Sequence, residues 1–206
     1  MVNDFLRHLF PRVVLGRNLR LSYTFCLGGL AFTTFLVLFL SGLLLLFYYA
    51  PTPHGAFSSI LFLEAQVPGG RYLRSLHRLA SHVFLGLIFL HTLRVILTGA
   101  FRPPRQMNWV VGFLLLGLAL FEAYTGYLLP MDQLALWATQ TGMELLATLP
   151  GGEVLRNFLV PDGIGASLSL LRFYALHIAI LPLTMLGLVF LHFYRVRRDK
   201  GILPYL

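Results

Sequence analysis

An all-α bundle of four membrane-spanning helices is the fold this sequence predicts, and three observations predict it. Of 206 residues, 57% are hydrophobic and only 12% are charged, about half the charged fraction of an ordinary soluble domain. The apolar residues gather in four runs, roughly 25–49, 77–98, 109–129 and 173–194. Each is long enough to cross ~30 Å of hydrocarbon as a helix. Two of the runs carry histidines at nearly equal intervals: His77 and His91 are 14 residues apart, and His177 and His192 are 15 apart. The whole chain, 1–206, reads as a single membrane domain.

The N-terminal segment, about 1–23, is basic and mixed. It lacks the short apolar core and small-residue cleavage site of a signal peptide, so an amphipathic interfacial helix is expected there. The first apolar run holds Gly28 and Gly42, 14 residues apart, and begins beside Cys26, the single cysteine. One cysteine excludes an intrachain disulfide. The second run holds His77 and His91, with Arg74, Arg78 and Arg94 close to them. The third repeats the glycine interval at Gly112 and Gly126 and carries Glu122. A connection of about 40 residues, 130–171, follows. Leu134–Leu149 are good helix formers, Pro150-Gly151-Gly152 is a break, and a second short stretch runs to Pro161. A connection this long in a compact protein is usually functional. The fourth run holds His177 and His192.

A net charge of +8 would suggest nucleic acid only for a soluble chain. In a membrane chain, basic residues report topology. Four spans put both termini on one side. That side takes Arg7, Arg12, Arg17, Arg20, Arg94, Arg102, Arg105, Arg195, Arg197, Arg198 and Lys200, 11 of the 16 basic residues. The termini are therefore expected in the cytoplasm or stroma, with 130–171 outside. No GxGxxG, P-loop, HExxH or CxxC motif is present.

The histidines carry the chemistry. Ionisable residues at membrane depth are costly and are functional candidates for that reason. A lone histidine in a membrane helix is commonly hydrogen-bonded to a neighbour, and His82 is read that way. His8 and His54 fall outside the long runs and read as solvated or interfacial. Two matched pairs are different. Fourteen or fifteen residues separate imidazoles by ~21–23 Å along a helix and return them to within about 40–60° of one face. Antiparallel packing of the two runs pairs His77 with His177 near the outer face, and His91 with His192 near the inner face. That arrangement fits two stacked haems, each with two axial imidazoles. The glycine intervals on the other two helices leave room for the macrocycles by letting helices approach closely. Arg74, Arg78 and Arg94 can pair with haem propionates or anchor helix ends by snorkelling. Glu122 reads either as an interhelical hydrogen-bonding group or as a proton carrier. In both cases it should face the bundle, because a carboxylate facing lipid is costly.

The strings LHRLASHVFLGLIFLHTLRVILTGAF and LRFYALHIAILPL, the turn TGYLLPMDQ and the start YTFCLGG resemble cytochrome b of the Rieske/cytochrome b complexes, in its short four-helix form of the cytochrome b6 type. The resemblance covers nearly the whole chain. It implies His77 with His177 and His91 with His192 as ligands of two b-type haems. It also implies glycine packing at Gly28, Gly42, Gly112 and Gly126, and propionate contacts at Arg74, Arg78 and Arg94. In the split complexes, a cysteine at the place of Cys26 attaches a third, c-type haem through one thioether, and Arg197 matches a basic residue near it. Two residues depart from the pattern: Met131 stands where the family usually has Trp, and Glu122 where it is usually apolar. The PEWY motif of the outer quinol pocket is absent. In split complexes it belongs to a separate three-helix subunit.

The implied function is electron transfer within a quinol oxidoreductase of a bacterial cytoplasmic or thylakoid membrane. Quinol is oxidised at the outer face, and electrons cross through the two b haems to an inner quinone. The implied partners are the PEWY-bearing subunit, a Rieske iron–sulfur protein, and a c-type cytochrome or other soluble carrier, in a dimeric complex without nucleic acid. The rival reading is a cytochrome b anchor linking quinone to a dehydrogenase or hydrogenase without a Rieske protein. A haem-free transporter gives no reason for the matched intervals.

Overall fold

A computed structural model describes residues 25–199. The interfacial helix expected over 1–23 lies outside them, as does Lys200. The described residues are helical, with no strand. In chain order the helices are α1 (Leu27–Leu45), α2 (Gly55–Gln66), α3 (Gly70–Leu97), α4 (Gln106–Leu128), α5 (Gln133–Ala147), α6 (Gly152–Leu159), α7 (Ser167–Ala175) and α8 (Leu181–Arg198). A π-helical turn, Leu176–Ile180, joins α7 to α8, so 167–198 form one continuous helical rod. Among the described residues, four helices are long and apolar enough to cross a membrane: α1, α3, α4 and this rod. In their most apolar stretches only 6–17% of residues are buried. The apolar faces therefore point outwards, which is stable only where hydrocarbon is the solvent.

Helix ends differ from the apolar runs for physical reasons. The second run starts at residue 77, but α3 starts at Gly70. Its first two turns carry Arg71 and Arg74, and a helix needs only its backbone bonds, not apolarity, to continue through them. The α5–α6 break falls where Gly151 adopts φ 75°, a left-handed conformation that glycine takes without steric cost. At Gly152 a Cβ would run into the Leu146 carbonyl. α2 was not anticipated, since its apolar and polar residues follow no clear stripe.

The π turn has a local cause. Pro182 has no N–H, so the bond it would give to the Ile178 carbonyl cannot form. The Leu181 N–H instead bonds to the Leu176 carbonyl, five residues back. Such turns insert one extra residue into an α-helix and are often found at functional sites. This one contains His177. The extra residue makes the fifteen-residue His177–His192 interval equivalent to fourteen on a plain α-helix, matching His77–His91.

By their packing the described residues fall into two compact units, and each takes part of all four long helices. One comprises the described parts of residues 1–36, 82–119 and 183–206. Its packing is aromatic: Phe32 meets Phe193 edge to face at 5.1 Å, Phe35 lies 6.0 Å from Phe84, and Trp109 lies between Phe101 and Phe113. The other comprises 37–81 and 120–182. Its core joins Leu128, Met143, Leu159 and Phe173, so the α5–α6 connection closes on the end of α4 and the start of the last rod. Burying each such side chain is worth ~1.5–3 kcal/mol relative to leaving it in water. Asp132 caps α5 by accepting from the Ala135 N–H at 2.8 Å. Tyr49 stacks on Tyr174 at 5.4 Å and donates to the Leu129 carbonyl at 2.7 Å. Burial pushes its phenol above the ordinary range.

Asp162 anchors the end of that connection. Its carboxylate accepts from the Leu168 N–H at 2.7 Å, the Ser169 N–H at 3.0 Å and the Ser169 hydroxyl. These amides are among the first N–H groups of α7, which have no partner within the helix. The Ser169 hydroxyl first, and the two amides after it, hold the Asp162 carboxyl below the usual carboxylate range. A depressed native pKa means the contribution is complete above the ordinary carboxylate value and is lost as pH falls through the native one. Protection factors of the amides across 160–170, taken relative to the intrinsic exchange rate at each pH, should therefore fall in acid, and Asp162→Asn should show lower protection already at neutral pH. Equal protection of wild type and variant at pH 7 would contradict the anchor.

Candidate functional site

Two histidine pairs lie in the structure, one within each unit. In the unit containing 37–81 and 120–182, the His77 and His177 rings are 6.3 Å apart, centre to centre, at 79°. In the other, His91 and His192 are 6.4 Å apart at 77°. These separations can be tested against an iron between two imidazoles. A metal–imidazole bond of ~2.0 Å, with the nitrogen ~1.1 Å from its ring centre, gives about 6.2 Å between centres. The pairs fit that demand. Among the described residues, no group of three or more His, Cys, Asp or Glu could hold a metal ion. Two protein ligands per site suit a haem, whose own macrocycle supplies the other four nitrogens.

Ligation through Nε2 requires the proton on Nδ1 and a partner for it, which fixes the tautomer. His77 Nδ1 lies 2.8 Å from the Ser41 hydroxyl. That hydroxyl donates to the Val37 carbonyl at 2.7 Å, so its oxygen is left to accept from Nδ1. His177 Nδ1 has three oxygens around it. The Glu122 carbonyl and the Glu122 Oε1 are each at 3.2 Å, and the Thr125 hydroxyl is at 3.3 Å. Thr125 is fully buried and donates to the Glu122 carbonyl at 2.9 Å. In both cases the polar contacts fall on Nδ1, and Nε2 is the nitrogen left for ligation.

Each histidine ring also rests on one of the predicted glycines. A Cβ at Gly28 would lie 3.2 Å from His91 Cε1, at Gly42 3.3 Å from His77 Cε1, and at Gly112 3.2 Å from His192 Cε1. At Gly126 it would lie 2.5 Å from His177 Cε1. The sequence assigns these glycines to macrocycle volume. In the structure, the first atoms an added Cβ meets at each of the four belong to an imidazole, so each glycine makes room for a histidine ring.

The arginines differ in placement. Arg74 is ion-paired with Glu64. Arg78 is exposed beside His77, and Arg197 is exposed in the last turn of α8. Arg94 is half-buried one turn beyond His91. Cys26 is exposed just before α1, with φ 50°, and Phe25 before it has φ 49°. Met131 has φ 53° and lines a small cavity with Leu128, Thr139, Gly165 and Phe173. His54 and His82 are exposed. His8 lies outside the described residues.

Three features escaped the sequence reading. Ser41 and Thr125 hold the Nδ1 atoms, and each directly precedes a glycine of its site; the dipeptides Ser41-Gly42 and Thr125-Gly126 could have revealed them. The π turn at His177 was signalled by Pro182. Arg105, 7% exposed, is the one buried arginine among the described residues, and nothing in its local sequence marks it.

Comparison with known proteins agrees with this geometry. The family described as Cytochrome b(N-terminal)/b6/petB matches residues 82–205. A cytochrome b6 of Heliobacterium mobile is 43% identical over 178 residues, which is 86% of this chain and 84% of that protein. The menaquinol:cytochrome c reductase cytochrome b subunit of Bacillus subtilis (strain 168) is 36% identical over 97% of this chain and 90% of its own length. A solved structure titled "Hyperthermophilic respiratory Complex III" superposes with a TM-score of 0.84 at 28% identity. It covers 97% of this chain, which spans about half, 53%, of the matched one. With paired histidines on apolar helices and relatives matched almost end to end, this chain belongs to the cytochrome b (N-terminal)/b6 family of membrane electron-transport proteins.

Proposed function

We propose that this chain is the haem-bearing electron-transfer subunit of a quinol:electron-acceptor oxidoreductase, oxidising quinol at the outer face and serving a quinone site at the inner face. The single observation that carries the reading is the pair of imidazole couples, each spaced for one iron and each seated on two glycines. When bound, a haem supplies an iron that gains and loses one electron. The chain supplies position and surroundings. His77, His177, His91 and His192 offer Nε2. Ser41, Thr125 and the Glu122 carbonyl hold the Nδ1 protons of the outer pair. The apolar helix faces exclude water. Arg94 and Arg78 supply the positive charge for propionates in this reading, and Arg74 joins them if it leaves Glu64. Carrying charge against the membrane potential is work, about 2.3 kcal/mol per charge per 100 mV, and that is how such a complex conserves energy.

The partners in this reading are a three-helix PEWY-bearing subunit, a Rieske iron–sulfur protein and a c-type cytochrome or similar soluble carrier, in a dimeric complex with both termini cytoplasmic or stromal. The test is purification of the complex from its native membrane. Quinol-dependent reduction of an added acceptor, with a Rieske protein co-purifying, is the expected result. Two b haems without a Rieske protein, with electrons delivered to a dehydrogenase, would favour the anchor reading instead.

A third, covalently bound haem belongs to the same proposal. Cys26 is exposed at the entry to α1, where an apolar core does not engulf its sulfur. A thioether-linked haem survives denaturing electrophoresis. The band of this subunit should therefore stain for haem peroxidase, and Cys26→Ser should abolish the stain while leaving both b haems. An unstained wild-type band beside a stained c-type control would reduce the count to two haems.

A further inference from the structure

The His177 side of the outer pair carries a group that simple ligation does not need. The backbone carbonyl of Glu122 and the hydroxyl of Thr125 already meet Nδ1, at 3.2 and 3.3 Å. Either is enough to fix the tautomer. Yet Glu122 also places Oε1 at 3.2 Å from the same nitrogen. Its side chain is 19% exposed, and its other oxygen, Oε2, is buried without a hydrogen-bond partner. A carboxyl group at this depth is costly, and an unsatisfied oxygen adds to that cost. A redundant structural hydrogen bond does not account for it. Among the described residues, this is the one place where a histidine meets a carboxylate; His77 has a neutral hydroxyl in the corresponding position.

A carboxyl oxygen held against the Nδ1–H of a ligating imidazole makes the ring a more basic ligand. A more basic axial ligand favours the higher oxidation state of the iron, and such hydrogen bonding is one of the levers a protein has on a haem. We propose that Glu122 is a positioning residue for the His177 ligand, and that its carboxyl oxygen lowers the reduction potential of the haem bound by His77 and His177 without affecting the one bound by His91 and His192. This rests on the haem reading above and goes beyond it: Glu122 touches the ligand, not the iron or the quinol. It also differs from a proton-carrying role, which would alter turnover without displacing a potential.

The test is an optical redox titration of the purified complex, with both b haems present, in wild type, Glu122→Leu and Glu122→Gln. Leucine removes the carboxyl oxygen and leaves the backbone carbonyl and the Thr125 hydroxyl in place. It should raise the midpoint of the outer haem by a tenfold change in the reduction equilibrium, 59 mV for one electron, with the inner haem unmoved. Glutamine keeps an acceptor oxygen at the same reach and should stay within threefold of wild type. The low-spin ferric electron paramagnetic resonance signal of the outer haem should shift with leucine and recover with glutamine. Two retained haems with an unmoved outer midpoint in Glu122→Leu would overturn the proposal. Loss of the outer haem in Glu122→Leu, with Glu122→Gln at the wild-type midpoint, would make Glu122 a packing residue and overturn it equally. An equal shift of both haems would also count against it. Failure of the underlying haem reading would look different: His177→Leu would retain both haems.

Discussion

Replacing His177 with leucine should remove one b haem of two and leave the other. A six-coordinate haem held by two imidazoles needs a nitrogen from each helix, and leucine offers none. The same haem should be lost in His77→Leu, because those two rings face each other at 6.3 Å. His91→Leu and His192→Leu should each remove the other haem, since their rings form a separate pair at 6.4 Å. The loss should be close to complete in each case, halving the haem-to-protein ratio. Extracted haem quantified per chain decides it. Potentiometry on the remaining haem then shows whether His77 and His177 variants lose the same species. Two haems retained in any single variant would break the assigned pairing.

Gly126→Ala should be the most damaging of the four glycine-to-alanine changes. Its Cβ would stand 2.5 Å from His177 Cε1, against 3.2–3.3 Å at Gly28, Gly42 and Gly112. The latter contacts are tight but can be relieved by a shift of a few tenths of an ångström. The former cannot be relieved without moving the ring. That ring is held at Nδ1 by oxygens of Glu122 and Thr125, and its Nε2 must still aim at the opposite histidine. Overpacking of this kind typically costs ~1–3 kcal/mol and displaces side chains. The expected outcome for Gly126→Ala is most of the outer haem lost, with the chain still inserted and the inner haem kept. Gly42→Ala should keep most of its haem. Larger side chains at either position should empty the outer site. Equal haem content in Gly126→Ala and Gly42→Ala would show that the ring is free to move, and that seating it is not the role of Gly126.

These outcomes separate what can be read along the chain from what cannot. The four spans were legible because transfer into hydrocarbon depends on each segment's own side chains, summed over about 20 residues. The pairing of the histidines and the matching glycine intervals were legible because the helical repeat is fixed. His77, His91, Gly28, Gly42, Gly112 and Gly126 therefore announce themselves by spacing alone. The interval of fifteen between His177 and His192 matches the fourteen of the other pair because the π turn takes up one extra residue.

The rest depended on neighbours distant in sequence. That the glycines carry imidazoles follows from helices meeting at 14–15-residue levels, not from any glycine's own surroundings. Which nitrogen of His177 is held, and by what, is decided across 52 and 55 residues by Thr125 and Glu122. Arg74 turns to Glu64 across a loop, and Arg105 is buried without any local hydrophobic signal. The physical reason is range. Hydrophobic burial and helical period act locally and leave a pattern in the sequence. A hydrogen bond or ion pair between helices is fixed only when packing brings two particular side chains within about 3 Å of each other. By itself the sequence determined a four-span membrane protein with two histidine pairs. Only the tertiary structure decided that one histidine of one pair would have a carboxyl group against it.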